Sequence, residues 1–194
     1  MHGRSIAAVK LISGAALALL AAAIAGCSDA PWRTAVMVVV DSDLSVPSEV
    51  DGDVFVVAAG PEAPEPAIPG FKSAFYSYVV TSFPTALQVY PSGGTTTSFS
   101  ITVQLLNGLT SQTGLPATIV VSRTVKDIRF TVEHTTMLVL PMLRKCACEG
   151  TSCPPVGTPE CDNIVQPTLQ RYDPNLATPT NPPVAVSAPS IVRH

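Results

Sequence analysis

Ser98-Phe99-Ser100-Ile101-Thr102-Val103-Gln104-Leu105 decides the fold. Phe99, Ile101, Val103 and Leu105 alternate with Ser98, Ser100, Thr102 and Gln104. A strand turns successive side chains to opposite faces, so this octet predicts a half-buried strand with one dry face. Toward the C-terminus, Asn107-Gly108 favours a tight turn and Thr118 to Val121 reads as a further strand. Ile128, Phe130 and Val132 alternate with Arg129, Thr131 and Glu133 as another, and Thr136 to Leu140 closes the series.

Toward the N-terminus, Leu87 to Tyr90 and Phe75 to Val80 are short strand candidates, the first followed by a turn at Pro91-Ser92-Gly93-Gly94. Gly60 to Gly70 holds Pro61, Pro64, Pro66 and Pro69 and reads as a surface loop, because proline cannot donate to a ladder. Val54 to Ala59 is a strand after a turn containing Asp51-Gly52-Asp53. Ala35 to Val40 is apolar throughout and β-branched, the pattern of a strand buried on both faces and placed centrally, since an exposed edge of that kind would aggregate.

Seven or eight short strands with turns between them, and no amphipathic helix, predict an all-β antiparallel two-sheet sandwich of the immunoglobulin-like or Greek-key type. A closed barrel is the alternative. The sandwich is expected over 35–145. A cysteine-rich loop follows over 146–161, and 162–194, rich in Pro, Thr and Asn with few large apolar residues, is expected as a disordered tail.

The first ten residues carry Arg4 and Lys10 and no acid, and Leu11 to Ala25 is an unbroken small and apolar run, the layout of a secretory signal peptide over 1–26. Fifteen residues fall short of the roughly 20 that a spanning helix needs. Ile24-Ala25-Gly26-Cys27 resembles the lipobox of bacterial lipoproteins. That resemblance implies cleavage before Cys27, acylation of its thiol and amino terminus, and a lipid bilayer as partner through Cys27. Two or three acyl chains suit the physics, since each buried methylene contributes about 0.8 kcal/mol and stable anchoring takes more than one chain. The family's sorting rules would let Ser28 pass to the outer membrane of the cell envelope. Residues 27–34 form the lipidated tether, whose seven residues after Cys27 reach roughly 25 Å and hold the domain close to the bilayer. Trp32 in the tether would rest at the headgroups or against the domain.

Cleavage leaves 168 of the 194 residues, enough for one domain with a core. It removes two of the 11 basic residues and none of the 14 acidic ones, which takes the net charge from −3 to −5. The basic residues form no run longer than two, which argues against a nucleic-acid partner.

Two further stretches carry a second resemblance. Val40-Asp41-Ser42-Asp43-Leu44, followed by Val46-Pro47 and Glu49-Val50-Asp51, is similar to the opening of a group of myxobacterial-type lipoproteins. Their C-terminal ends resemble Leu140 to Cys161, where a strand runs into a basic residue and a short cysteine-rich loop. The resemblance covers about a quarter of the chain and implies an exported β domain with a cysteine tail, without an activity.

With Cys27 lipidated, Cys146, Cys148, Cys153 and Cys161 form an even set, which in an oxidising compartment predicts two disulfides. A Cys146–Cys148 bridge would enclose a single residue, a strained ring, and leaves two pairings open. Zinc is the alternative, but the spacings do not match paired knuckles. Asp41, Asp43, Asp51 and Asp53 in one connection make a calcium candidate, against the ordinary role of Asp in turns.

Nucleophilic catalysis needs a base, and the mature chain offers His134, expected in a turn, and the terminal His194. A carboxylate pair for glycoside hydrolysis would have to come from Glu49, Glu62, Glu65 and Glu133, two of which fall in the proline loop. No catalytic motif accompanies them, so no enzyme and no cofactor are expected; an unrecognised hydrolase is the remote alternative. Tyr76, Tyr78, Tyr90 and Phe83 cluster in one region. If Phe75, Ser77 and Val79 face the core, Tyr76 and Tyr78 face out as a platform for a glycan or peptide; core tyrosines with hydroxyls at the rim are the commoner arrangement. The leading functional expectation is a non-enzymatic envelope lipoprotein that works through contacts with an envelope protein or as a structural surface component.

Overall fold

The computed structural model describes residues 34–62, 73–92, 96–109, 117–149, 153, 158–165, 167–175 and 179–187. The expectations for the signal peptide, Cys27, Trp32, Glu65, Pro64, Pro66, Pro69 and His194 lie outside the described residues. The described residues fold as two five-stranded sheets packed face to face. The first runs in the order β10 (Val184–Ser187), β4 (Thr85–Ser92), β1 (Ala35–Asp41), β7 (Thr135–Pro141), β9 (Gln170–Arg171). The second runs β3 (Ser73–Val79), β2 (Gly52–Ala59), β5 (Ser98–Asn107), β6 (Thr118–Arg129), β8 (Ile164–Val165). None of the described helices is long and apolar enough to cross a membrane.

β1 lies at the centre of the first sheet, with β4 antiparallel on one side and β7 parallel on the other. Val36, Val38 and Val40 enter the space between the sheets, while Met37 and Val39 turn to the outer face and pack with Ala86, Met137 and Tyr172. A strand with both faces covered is apolar at every position, which is why β1 lacks alternation. β5 shows the alternation in full: Phe99, Ile101, Val103 and Leu105 all point into the core. Of its outward hydroxyls, Ser100 donates to the Gly60 carbonyl and accepts from the Asp127 amide, and Thr102 bonds Thr124 across the strand pair at 2.8 Å.

The structure departs from the sequence expectation in four places. The sheets are mixed, since β1–β7, β4–β10 and β6–β8 pair in parallel. The two strands expected at Thr118–Val121 and Ile128–Val132 are one long strand, β6, with Val132 exposed in the turn beyond it. Its register slips between Ile128, opposite Phe99, and Val125, opposite Ile101, so two residues oppose one; Asp127 in this bulge adopts a left-handed φ of 49°. A bulge flips the inward phase by one residue, and the apolar period breaks there in the sequence. Pro91 and Ser92, expected in a turn, extend β4 because β10 pairs beside them.

The fourth departure is the stretch expected as a tail. Within 162–187 it supplies β8, β9 and β10, and Val184 and Val186 are buried in the main core. Thr180 bonds the main chain of β4, with its hydroxyl accepting from the Ala86 amide at 2.7 Å and its amide donating to the Ala86 carbonyl. Such short strands are held by pairing and leave no period to read. Residues 188–194 lie outside the described residues.

Candidate functional site

The connection after β1 and the stretch after β7 meet in space. β1 and β7 run parallel, so their ends emerge side by side, with Asp41 opposite Pro141. The connection after β1 then folds onto the residues after β7. The Met142 amide donates to the Asp41 carbonyl at 2.7 Å, Ser42 Oγ to the Met142 carbonyl at 2.6 Å, and the Arg144 amide to Asp43 Oδ1 at 2.6 Å. The Arg144 guanidinium donates to both oxygens of Glu49 and to the Asp43 carbonyl. The Ser45 amide, and after it Arg144, hold the Glu49 carboxyl below its ordinary range.

The aspartates of this connection do not converge on one point. Asp41 accepts from the Ser42 amide, Asp43 from Arg144, Asp51 from the Leu109 amide at 2.9 Å, and Asp53 from Thr85. Each has its own local partner, and among the described residues no three His, Cys, Asp or Glu side chains gather to hold a metal ion. The four calcium candidates are thus engaged separately and do not come together as one ligand set among the described residues. Glu49 is engaged by Arg144, and His134 ends an exposed turn with its amide on the Thr131 carbonyl.

Cys146 bridges Cys161, with Cα atoms 5.3 Å apart, and Cys148 bridges Cys153. Beside the first bridge lies a residue that sequence reasoning missed. Arg123 follows Val121 and precedes Val125 on the inward face of β6 and is buried. Its guanidinium donates to three main-chain carbonyls: Glu160 at 2.6 Å, Asp162 at 3.1 Å and Pro141 at 3.2 Å. Burial pulls its pKa down from the usual arginine value, and nearby Asp162 opposes that. The arrangement ties the cysteine loop, the end of β7 and β6 together. The signal was present in the sequence as a charge at an inward position of an alternating run.

Tyr76 and Tyr78 turn toward the core, and Phe75, Ser77 and Val79 face out. The outward platform is therefore corrected: the tyrosines are the rim residues of the commoner arrangement. Tyr78 packs on Phe55 with ring centroids 6.1 Å apart. Burial raises both tyrosine pKa values, with Tyr90 adding to the shift at Tyr76, and Tyr76 and then Asp53 adding at Tyr78.

What β3 presents to solvent is different. Phe75 is 56% exposed and Val79 60%, on a seven-residue edge strand with no charge and no proline. Among the described strands the other edges are short: β8 and β9 have two residues each, and β10 has four, preceded by Pro182-Pro183. Proteins commonly protect edges by shortness, charge or proline, and β3 has none of these. No protein family, curated protein or solved structure matches the chain.

Proposed function

We propose that this protein is a lipid-anchored component of the bacterial cell envelope that works through protein contacts and performs no catalysis. The observation that carries the anchor is the apolar run ending in Ile24-Ala25-Gly26-Cys27 behind Arg4 and Lys10. Two disulfides in the domain agree with export to an oxidising compartment. The uncharged edge of β3, with Phe75 and Val79 beside it, supports the mode of action. Its outer edge, which pairs with no other strand among the described residues, and its outward Phe75 and Val79 suit an extended segment of a partner protein added as a further strand. A glycan platform at Tyr76 and Tyr78 has lost its geometric basis.

Intact mass spectrometry of the membrane-extracted protein, with and without reduction, tests the anchor. The expected species begins at Cys27, carries acyl mass and gains about four hydrogens on reduction, as two bridges require. A species that retains residues 1–26, or is cut without lipid, overturns the reading. A photo-crosslinker at Phe75 in intact cells tests the contact surface, with Val132 as an exposed control. An adduct at Phe75 and none at Val132 is expected, and equal labelling at both refutes the assignment.

A further inference from the structure

Among the described residues, Asp53 is a carboxylate wholly buried between the sheets. Asp53 shares the inward face of β2 with Phe55 and Val57 and is 0% exposed. From the opposite sheet, Thr85 Oγ1 donates to Asp53 Oδ2 at 2.9 Å. Oδ1 is buried without a hydrogen-bond partner. Among the described residues, the strands around the carboxyl, β10 included, carry no basic side chain. β3 places Tyr78 directly opposite, with Tyr76 two residues along, and β5 places Leu105 opposite. β4 supplies Thr85, paired with Val40 of β1. Asp51, the nearest acid along the chain, is bonded to the Leu109 amide.

A buried carboxylate with one hydrogen bond and no cation favours its neutral form. We propose that the Asp53–Thr85 contact is a pH-operated clasp between the two sheets, seated while the carboxyl is neutral and loosened toward water when it ionises, because burying the charge costs more than the strengthened Thr85 hydrogen bond returns. On loosening, the proton leaves to solvent and the charge draws water toward β2. Because β2 carries β3, the loosening reaches the edge strand with Phe75 and Val79. The clasp is a property of the domain and stands apart from the anchor.

Burial, opposed by the Thr85 hydrogen bond, raises the Asp53 pKa from 3.8 to about 6. The folded value lies above the unfolded one, so between the two the unfolded chain releases the proton first. Stability therefore falls as pH rises through that window, then stays level above it, the reverse of a salt-bridged aspartate. The separation corresponds to about a hundredfold rise in the unfolding constant.

The test is urea unfolding of the full detergent-extracted chain, followed by circular dichroism from pH 4 to 8, for wild type and Asp53→Asn. The ratio of their unfolding constants should rise about a hundredfold across the window and level off above it. Thr85→Val removes the bond that favours the ionised carboxyl, so the midpoint of its pH dependence should move up. Parallel profiles for wild type and Asp53→Asn overturn the clasp. Should Asp53→Asn fail to fold, an unmoved Thr85→Val midpoint overturns it instead.

Discussion

Arg123 and Asp53 are both buried in this sandwich, and they are treated in opposite ways. Arg123 brings a permanent charge inside and meets three carbonyls, so each nitrogen of its guanidinium has an acceptor. Asp53 meets one hydroxyl and leaves an oxygen without a partner. Arginine cannot shed its proton in a protein, so its burial has to be solved by geometry. An aspartate can shed charge by taking up a proton, and so tolerates incomplete geometry. The end of the sandwich around Arg123 is accordingly a fixed closure, and the region around Asp53 is adjustable.

The comparison breaks first at Arg123. Arg123→Leu keeps the bulk but leaves the Glu160, Asp162 and Pro141 carbonyls without donors in a buried site, and should cost roughly 4 kcal/mol in urea unfolding. Arg123→Lys should recover only part, because one ammonium cannot reproduce the planar fork. Stability near wild type in Arg123→Leu would mean that the disulfide alone closes this end.

Removing that bridge with Cys146→Ser and Cys161→Ser together should cost about 3 kcal/mol by the chain-entropy argument for its 15-residue separation. The Cys148–Cys153 pair, separated by five residues, should cost about 2 kcal/mol by the same argument. Arg123 and Cys146–Cys161 hold the same segment, so combining their removal should cost less than the two losses added. Full additivity would show that the closure is two independent fastenings.

Where the physics is local, the sequence was readable. β5 shows its alternation because one of its faces is dry, and β1 its solid apolar run because both are. β6 was split in two because a bulge at Lys126–Asp127 reverses the inward phase, and no residue type marks that reversal. β3 was ambiguous, since Phe75 and Val79 on one face and Tyr76 and Tyr78 on the other are both credible core sets. Asp53 read as a turn former because it follows Asp51-Gly52, and only the opposite sheet makes it interior. β10 left no pattern because Val184 and Val186 are two residues bounded by prolines and made a strand by β4.

β10 also supplies the next test. Val186→Ala should cost roughly 2 kcal/mol, from lost methyl burial plus a small cavity. A loss near zero would return this segment to the tail expected from composition and would narrow the first sheet.

The smallest effect belongs to Arg144, where the connections after β1 and β7 meet. Arg144→Ala removes the guanidinium from Glu49 but keeps the main-chain donation to Asp43 Oδ1. Exposed ion pairs contribute little, so the shift in urea midpoint should be the least of the series, and roughly 1 M salt should erase most of it. The Ser45 amide contributes more than Arg144 to the lowered Glu49 pKa, so Glu49 should titrate below its ordinary value even in Arg144→Ala. The stability it contributes is present at neutral pH and is lost as pH falls through that lowered value. A large, salt-resistant loss in Arg144→Ala would instead make this junction a second fixed closure like Arg123. The asymmetry between the two buried groups would then no longer describe how the sandwich is held together.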